Sequence, residues 1–213
     1  MTYEVVSVEV GLMKDRMAKK HVMWDLFSGL GGASQYFDLN KNWEVYRFEN
    51  NYELLPYAPL NTQWRDVTDW RRWSKDYPEP DFIWASPPCI EFSQAFSAPG
   101  PKAKRAGDEF EPDLELIKAT QDIIEYYQPK HWAIENVAGA SKHFTPLLGR
   151  YQKLGPFMIW GNLPLIDTKV DPDHKAKIDQ RHSPIRSNIR ARIPCKLSRG
   201  VFNALKQPRL EDF

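Results

Sequence analysis

The chain has 213 residues, 42% hydrophobic and 27% charged, with a formal net charge of +1. This length fits one domain with a substantial core, and the composition shows no low-complexity tract and no convincing repeat. No apolar leader opens the N-terminus and no stretch approaches the roughly 20 apolar residues a membrane span needs, so a soluble, cytoplasmic protein is expected. Two cysteines, Cys89 and Cys195, indicate reduced thiols in a reducing compartment rather than a disulfide framework. Net charge announces no nucleic-acid partner, but its distribution is uneven. Lys169, Lys175, Lys177, Arg181, Arg186, Arg190, Arg192, Lys196, Arg199, Lys206 and Arg209 crowd the last part of the chain. That run is either a solvated face or a phosphate-contacting one.

Residues 1–20 form a lead-in ending in the basic stretch Lys14 to Lys20. Val22 to Phe27 then reads as a buried strand, followed by Ser28-Gly29-Leu30-Gly31-Gly32 and a helix over Ala33 to Leu39. Trp43 to Phe48 is a second strand ending at Glu49. A short helix starts near Tyr52 and is cut off by Pro56 and Pro59, and Thr62 to Val67 is a brief third strand. Asp81 to Ala85 is a fourth. Pro112 and Asp113 open a clear helix with Leu114, Ile117, Thr120, Ile124 and Tyr127 at helical spacing, closed by Pro129. His131 to Ile134 is a fifth strand, leading into Glu135-Asn136-Val137. Strands alternating with helices give a doubly wound, mostly parallel α/β sheet with right-handed crossovers. Beyond residue 145 the prolines at 146, 156, 164, 172 and 184 loosen the pattern, and the stretch from Gly149 to about Arg186 reads as a short irregular lobe or extended loop. A last helix spans Lys196 to Leu205.

Two constellations carry chemistry. The glycine cluster after the first strand lets the backbone turn sharply and approach a ligand, although it lacks the dinucleotide spacing; a plain strand-to-helix turn is the other reading. Glu49, at the end of the second strand, stands where nucleoside-binding sheets place a ribose-binding carboxylate. Asp66 either hydrogen-bonds an adenine amino group or caps a turn. Together they imply an adenosine-containing cofactor.

The second constellation is Ser86-Pro87-Pro88-Cys89 with Glu135-Asn136-Val137. Two prolines stiffen the loop that aims the Cys89 thiol. Both segments close neighbouring strands on one edge of the sheet, so a nucleophile and a proton donor converge. No Cys/His cluster has zinc spacing, so no metal is expected.

Asp25-Leu26-Phe27-Ser28-Gly29-Leu30-Gly31-Gly32 resembles motif I of the cytosine-C5 DNA methyltransferases, Pro87-Pro88-Cys89 resembles their catalytic Pro-Cys motif, and Glu135-Asn136-Val137 their Glu-Asn-Val motif. Order and approximate spacing match over residues 22–140. The resemblance implies a Rossmann-like S-adenosylmethionine-dependent methyltransferase fold. It assigns catalysis to Cys89 and Glu135. It assigns S-adenosyl-L-methionine to Phe27, Ser28, Gly29, Leu30, Gly31, Gly32, Glu49, Asn50, Asp66, Val67 and Pro87. It assigns the substrate to Ser86, Pro88, Asn136, Val137, Arg190 and Arg192. The substrate implied is double-stranded DNA with the target cytosine flipped out of the stack.

The C-terminal part departs from the family pattern. Ile193-Pro194 followed by Leu197 to Leu205 is similar to the closing motif and helix, but Arg190-Ala191-Arg192 replaces the usual Gly-Asn-small run. Ile90 and Glu91 stand where a glutamine commonly follows the cysteine. Only residues 138–213 follow Val137, so the target-recognition region is much reduced. The expected organisation is a single methyltransferase domain over 1–213, with the cofactor-binding and catalytic core at 22–145. A reduced recognition lobe follows at 146–190, then a closing helix and tail at 191–213. So small a lobe, carrying Trp160, Arg181, His182, Arg186, Arg190 and Arg192, either reads a short site itself or relies on a second subunit, a homodimer partner or an accessory chain. Methylation of an exocyclic amino group and a non-catalytic cofactor- or DNA-binding module are the competing readings.

Overall fold

The computed structural model describes residues 19–174 and 182–207. Lys14, Lys175, Lys177, Arg181 and Arg209 lie outside them. Seven strands form one sheet: β1 (His21–Leu26), β2 (Trp43–Glu49), β3 (Thr62–Trp64), β4 (Phe82–Ala85), β5 (His131–Asn136), β6 (Tyr151–Leu154) and β7 (Phe157–Gly161). Their order is β3-β2-β1-β4-β5-β7-β6. The first five run parallel, β7 is antiparallel to β5, and β6 is antiparallel to β7. After β3 the chain returns to pair β4 against β1, which makes the gap beyond β1 and β4 the switch point where such sheets hold ligands.

The strands are apolar on both faces because helices cover both. Val22, Trp24 and Leu26 of β1 point to one layer together with Ile83, Ala85 and Ile134. That layer is covered by α1 (Trp70–Trp73), α3 (Glu115–Tyr127) and α4 (Ser141–Leu148) through Trp70, Trp73, Ile117, Ile123 and Phe144. Met23, Phe82, Trp84 and Ala133 point the other way, against Phe37 and α6 (Cys195–Ala204). On α6, Leu197, Val201 and Phe202 are buried, each contributing about 1.5–3 kcal/mol.

Several segments differ from the sequence reading: the helices at Trp70–Trp73, Ser141–Leu148 and Arg186–Ala191 were not expected, the third strand stops at Trp64, and three further differences shape the fold. The helix expected over Ala33 to Leu39 is a series of turns with a 3-10 turn only at Phe37–Leu39. Groups that would close an α-helix are used elsewhere: Ser198 Oγ donates to Ala33 O at 2.5 Å and accepts from Tyr36 N at 3.1 Å. Gln35 Nε2 also takes Gly32 O at 2.6 Å. Between Cys89 and Pro112 the sequence suggested no element, yet α2 spans Pro99–Ala106. Its prolines sit in the first turn, where the missing N–H costs nothing, and Gly107 closes it at φ 81°. Finally, residues 151–161, expected as irregular lobe, form the β6–β7 hairpin that extends the sheet. Pro156 lies in the turn beside Gly155 and interrupts neither strand. Trp160, expected among the residues of the recognition lobe, is fully buried in this hairpin. A short α5 (Arg186–Ala191) precedes α6.

Candidate active site

At the C-terminal ends of β1, β2, β4 and β5 lies a cleft of about 580 Å³, within the range of small-ligand sites. Phe27 leaves β1 at φ 56°, a left-handed conformation that strains a bulky residue by roughly 1–2 kcal/mol. The strain turns the chain sharply and leaves the Phe27 side chain lining the cleft. Gly29 follows at φ 51° with open space where a Cβ would stand, so its backbone is presented to a ligand. Glu49, at the end of β2 and 8% exposed, supports this turn. Its Oε2 accepts from Gly29 N and its Oε1 from Asn51 N, both at 2.8 Å. Each carboxylate oxygen keeps a lone pair for a ligand hydroxyl. Leu30, Leu54 and Ile90 add apolar wall. An apolar slot with one anchored carboxylate and a bare backbone turn fits a nucleoside-bearing cofactor.

Below the slot a polar network is locked in place. Asp25, buried on the cleft floor, accepts from Ser34 Oγ at 2.5 Å, and Ser34 Oγ accepts from Arg47 Nε at 2.8 Å. The buried Arg47 also pairs with Asp38 and donates to Asn61 Oδ1 at 2.7 Å. Burial pushes the Asp25 carboxyl up to about 7, against the Ser34 hydrogen bond and the Arg47 charge, which pull it down.

The thiol side of the cleft comes from β4 and β5. Ala85 is in register with Ile134, one residue before Glu135. Trp84 Nε1 donates to Ser86 Oγ at 2.8 Å, and Ser86 N bonds Leu26 O at 3.2 Å, fixing the start of the proline loop to β1. Asn136 Nδ2 donates to Pro87 O at 3.0 Å, and its Oδ1 accepts from Val137 N at 2.9 Å. Cys89 begins a 3-10 turn, its carbonyl accepting from Phe92 N at 3.1 Å. Cys89 and Glu135, the latter 6% exposed, both line the cleft. A thiol and a carboxyl, groups chemically able to act as nucleophile and as acid or base, therefore line one cleft.

Of the residues singled out from sequence, Phe27, Ser28, Gly29, Leu30, Gly32, Glu49, Asn50, Ser86, Pro87, Pro88, Cys89, Glu135 and Arg192 line this cleft. Gly31 instead packs toward Pro59 and Arg47. Asn136 and Val137 stand behind the proline loop, and Arg190 is on α5 outside the lining. Val67 is in the core. Asp66 caps the next turn, accepting from Thr68 N at 2.8 Å and Thr68 Oγ1 at 2.7 Å. Burial raises its carboxyl, but the bonds from Thr68 and Asn50 outweigh that and hold it below the usual value.

Sequence reasoning missed Asp25, Asn51, Leu54, Ser187, Asn188 and Ile193 as lining residues. Asn51 was detectable from its place beside Glu49. Ser187 and Asn188 have no local signal, because α5 reaches the cleft through tertiary contacts. Gln35 Nε2 donates to Ile193 O at 2.9 Å and Arg192 donates to Gln35 Oε1 at 3.2 Å. Gly32 has no Cβ, and one built there would stand 2.6 Å from the Ile193 backbone. Among the described residues no His/Cys/Asp/Glu group could hold a metal ion, and no helix is long and apolar enough to cross a membrane.

Strand order β3-β2-β1-β4-β5-β7-β6 with β7 alone reversed, and a ligand cleft at its switch point, defines a Rossmann-like methyltransferase fold. The family model for C-5 cytosine-specific DNA methylases matches residues 22–148. The chain belongs to that family. It is 35% identical over 119 residues to the probable DNA (cytosine-5)-methyltransferase of Frog virus 3 (isolate Goorha), covering 53% of this chain and 51% of that protein. It thus spans about half the length of this relative. Solved structures with partial likeness include a triple mutant of Spodoptera frugiperda DNMT2 (TM-score 0.38, 18% identity, 58% of this chain and 37% of that one). TrmN from Thermus thermophilus gives TM-score 0.43 at 15% identity over 67% of this chain and 43% of the other. A fibrillarin/Nop5p complex gives 0.45 at 12% over 67% and 71%.

Proposed function

We propose that this protein transfers a methyl group from S-adenosyl-L-methionine to C5 of a cytosine in DNA, through a covalent bond between Cys89 and C6 of the base. The observation that carries this reading is the convergence of Cys89 and Glu135, from neighbouring strands, on the cleft that also contains the Gly29 turn and Glu49. Family membership supports the cytosine-C5 chemistry.

In this reading the Gly29 turn, Glu49 and Asn50 hold the nucleoside half of the cofactor, with Phe27, Leu54 and Pro87 as apolar walls. S-adenosylmethionine supplies, when bound, an electrophilic methyl on a sulfonium. Cytosine C5 is too weak a nucleophile to take it unaided. The Cys89 thiolate adds to C6, and Glu135 stabilises the accumulating charge by a hydrogen bond or proton at N3. The electron pair released to C5 then takes the methyl. Release of the C5 proton to solvent restores the C5–C6 double bond and expels Cys89 as thiolate, and any proton held at N3 returns to Glu135. A stacked base cannot reach the floor of such a cleft, so the target is flipped out or single-stranded. With residues 151–161 in the sheet, target recognition falls on residues 162–190.

The test uses DNA containing 5-fluorocytosine, in which fluorine blocks the final elimination. The expected result is a denaturant-resistant adduct, dependent on the cofactor and mapped by peptide mass spectrometry to Cys89. Methylation of ordinary DNA without such an adduct, or product found as an N-methyl base, would overturn the reading.

A further inference from the structure

The loop that follows Cys89 separates two clefts. On its far side lies a second one of about 520 Å³, walled by the loop itself, by α2 and by α4. Ser93 lines both. This partition is firmly seated. Phe92 is buried, with its ring 4.9 Å from Phe144 and 5.8 Å from His143. The opposite wall is pinned as well, since Arg105 lies 3.7 Å over the Phe96 ring and donates to Phe96 O at 2.7 Å.

Cations outnumber acids in this second cleft, three to two. Lys104, Arg105 and Lys142 face it, and among the described residues no carboxylate is in ion-pair contact with either lysine. Two acids also face it. The Glu91 carboxylate accepts from Asp113 N at 2.6 Å, which leaves Asp108 as the other. Burial and the neighbouring Lys142 lower the His143 pKa, against Glu111. Net positive charge on a concave polar wall suits an extended anion. Because Ser93 belongs to both linings, a polynucleotide whose base enters the Cys89 cleft has this rim within reach of its backbone.

We propose that the second cleft is a backbone subsite that holds the phosphodiester flanking the target nucleotide, with Lys104 and Lys142 as its phosphate contacts. The proposal rests on the reading that the chain methylates cytosine in DNA. It predicts that the site grips the strand on both sides of the catalytic loop.

The experiment compares wild type, a Lys104→Gln/Lys142→Gln variant and a Lys41→Gln/Lys75→Gln control of equal charge, on mixed-sequence plasmid DNA. The cleft variant is expected to raise KM for DNA about tenfold. Its kcat stays within about twofold, its cofactor affinity is unchanged, and its log K against log salt plot is about two units shallower. Equal behaviour of the cleft variant and the control pair would overturn the subsite while leaving the methyl-transfer reading standing. Absence of 5-methylcytosine from wild type, or a wild-type preference for single-stranded RNA over the plasmid, would overturn the reading and the subsite with it.

Discussion

The Asn136 carboxamide donates to the Pro87 carbonyl at 3.0 Å while accepting from Val137 N, so one buried side chain joins the end of β5 to the loop that carries Cys89. Pro87 and Pro88 offer no backbone donors, and the Asn136 bond constrains this stretch from its acceptor side. Asn136→Ala strands the Pro87 carbonyl and is expected to cost about 1–3 kcal/mol of stability. A larger fall in kcat than in cofactor affinity is expected, because the thiol loses its aim. Unchanged turnover in a variant shown by melting to be destabilised would refute that positioning role.

Glu135→Gln leaves a neutral amide of the same size on the cleft wall. Methyl transfer should slow by roughly 10²–10⁴ if Glu135 handles a proton at the base, with cofactor affinity unchanged. Single-turnover kinetics on saturating DNA check this, and a rate within threefold of wild type counts against the assignment.

Gly139 lies against the loop that follows Cys89. A Cβ there would stand 2.0 Å from Phe92 O, a backbone atom that cannot swing aside. Gly139→Ala should therefore displace the Cys89–Ser93 segment, lower stability by about 1–3 kcal/mol and reduce adduct formation with 5-fluorocytosine DNA. Denaturant melts and the adduct assay read the two effects separately.

Asp25 makes stability depend on pH. Its carboxyl titrates near 7 in the folded chain against 3.8 normally, chiefly because of burial. The folded protein thus keeps a proton that the unfolded chain releases above about pH 4. The stabilisation from this group is complete below about pH 4 and is lost as pH rises through about 7, a span of at most about 4 kcal/mol. Melting temperature should fall between about pH 5 and pH 7.5, and Asp25→Asn should flatten that slope. A variant whose profile runs parallel to wild type would disprove the attribution.

Much of the site was legible because its chemistry sits at strand ends. Continuous apolar runs such as Val22–Leu26 and Phe82–Ala85 mark buried parallel strands, and whatever follows them is delivered to one edge. That logic places Gly29, Glu49, Cys89 and Glu135 at one edge from the sequence alone. It failed where tertiary contacts override local pattern. Pro99-Gly100-Pro101 looks like a breaker but begins a helix, and the run Phe157–Trp160 was a strand signal obscured by the neighbouring Pro156. Asp66 shows the ambiguity of a single carboxylate: its oxygens are engaged with Thr68 and Asn50. Ser187 and Asn188 belong to a polar segment whose following residues, Arg192 and Ile193, are tied to Gln35, far away in sequence.

The meeting of Gly32 with Ile193 also orders events in time. The glycine turn is made early during synthesis, but its covering backbone and the Ser198 hydroxyl that takes Ala33 O emerge from the ribosome much later. A domain folds as a unit, so this turn gains its cover only once α6 is available to dock. Truncation ahead of α6 is therefore expected to leave the turn uncovered and to abolish the cofactor binding proposed above.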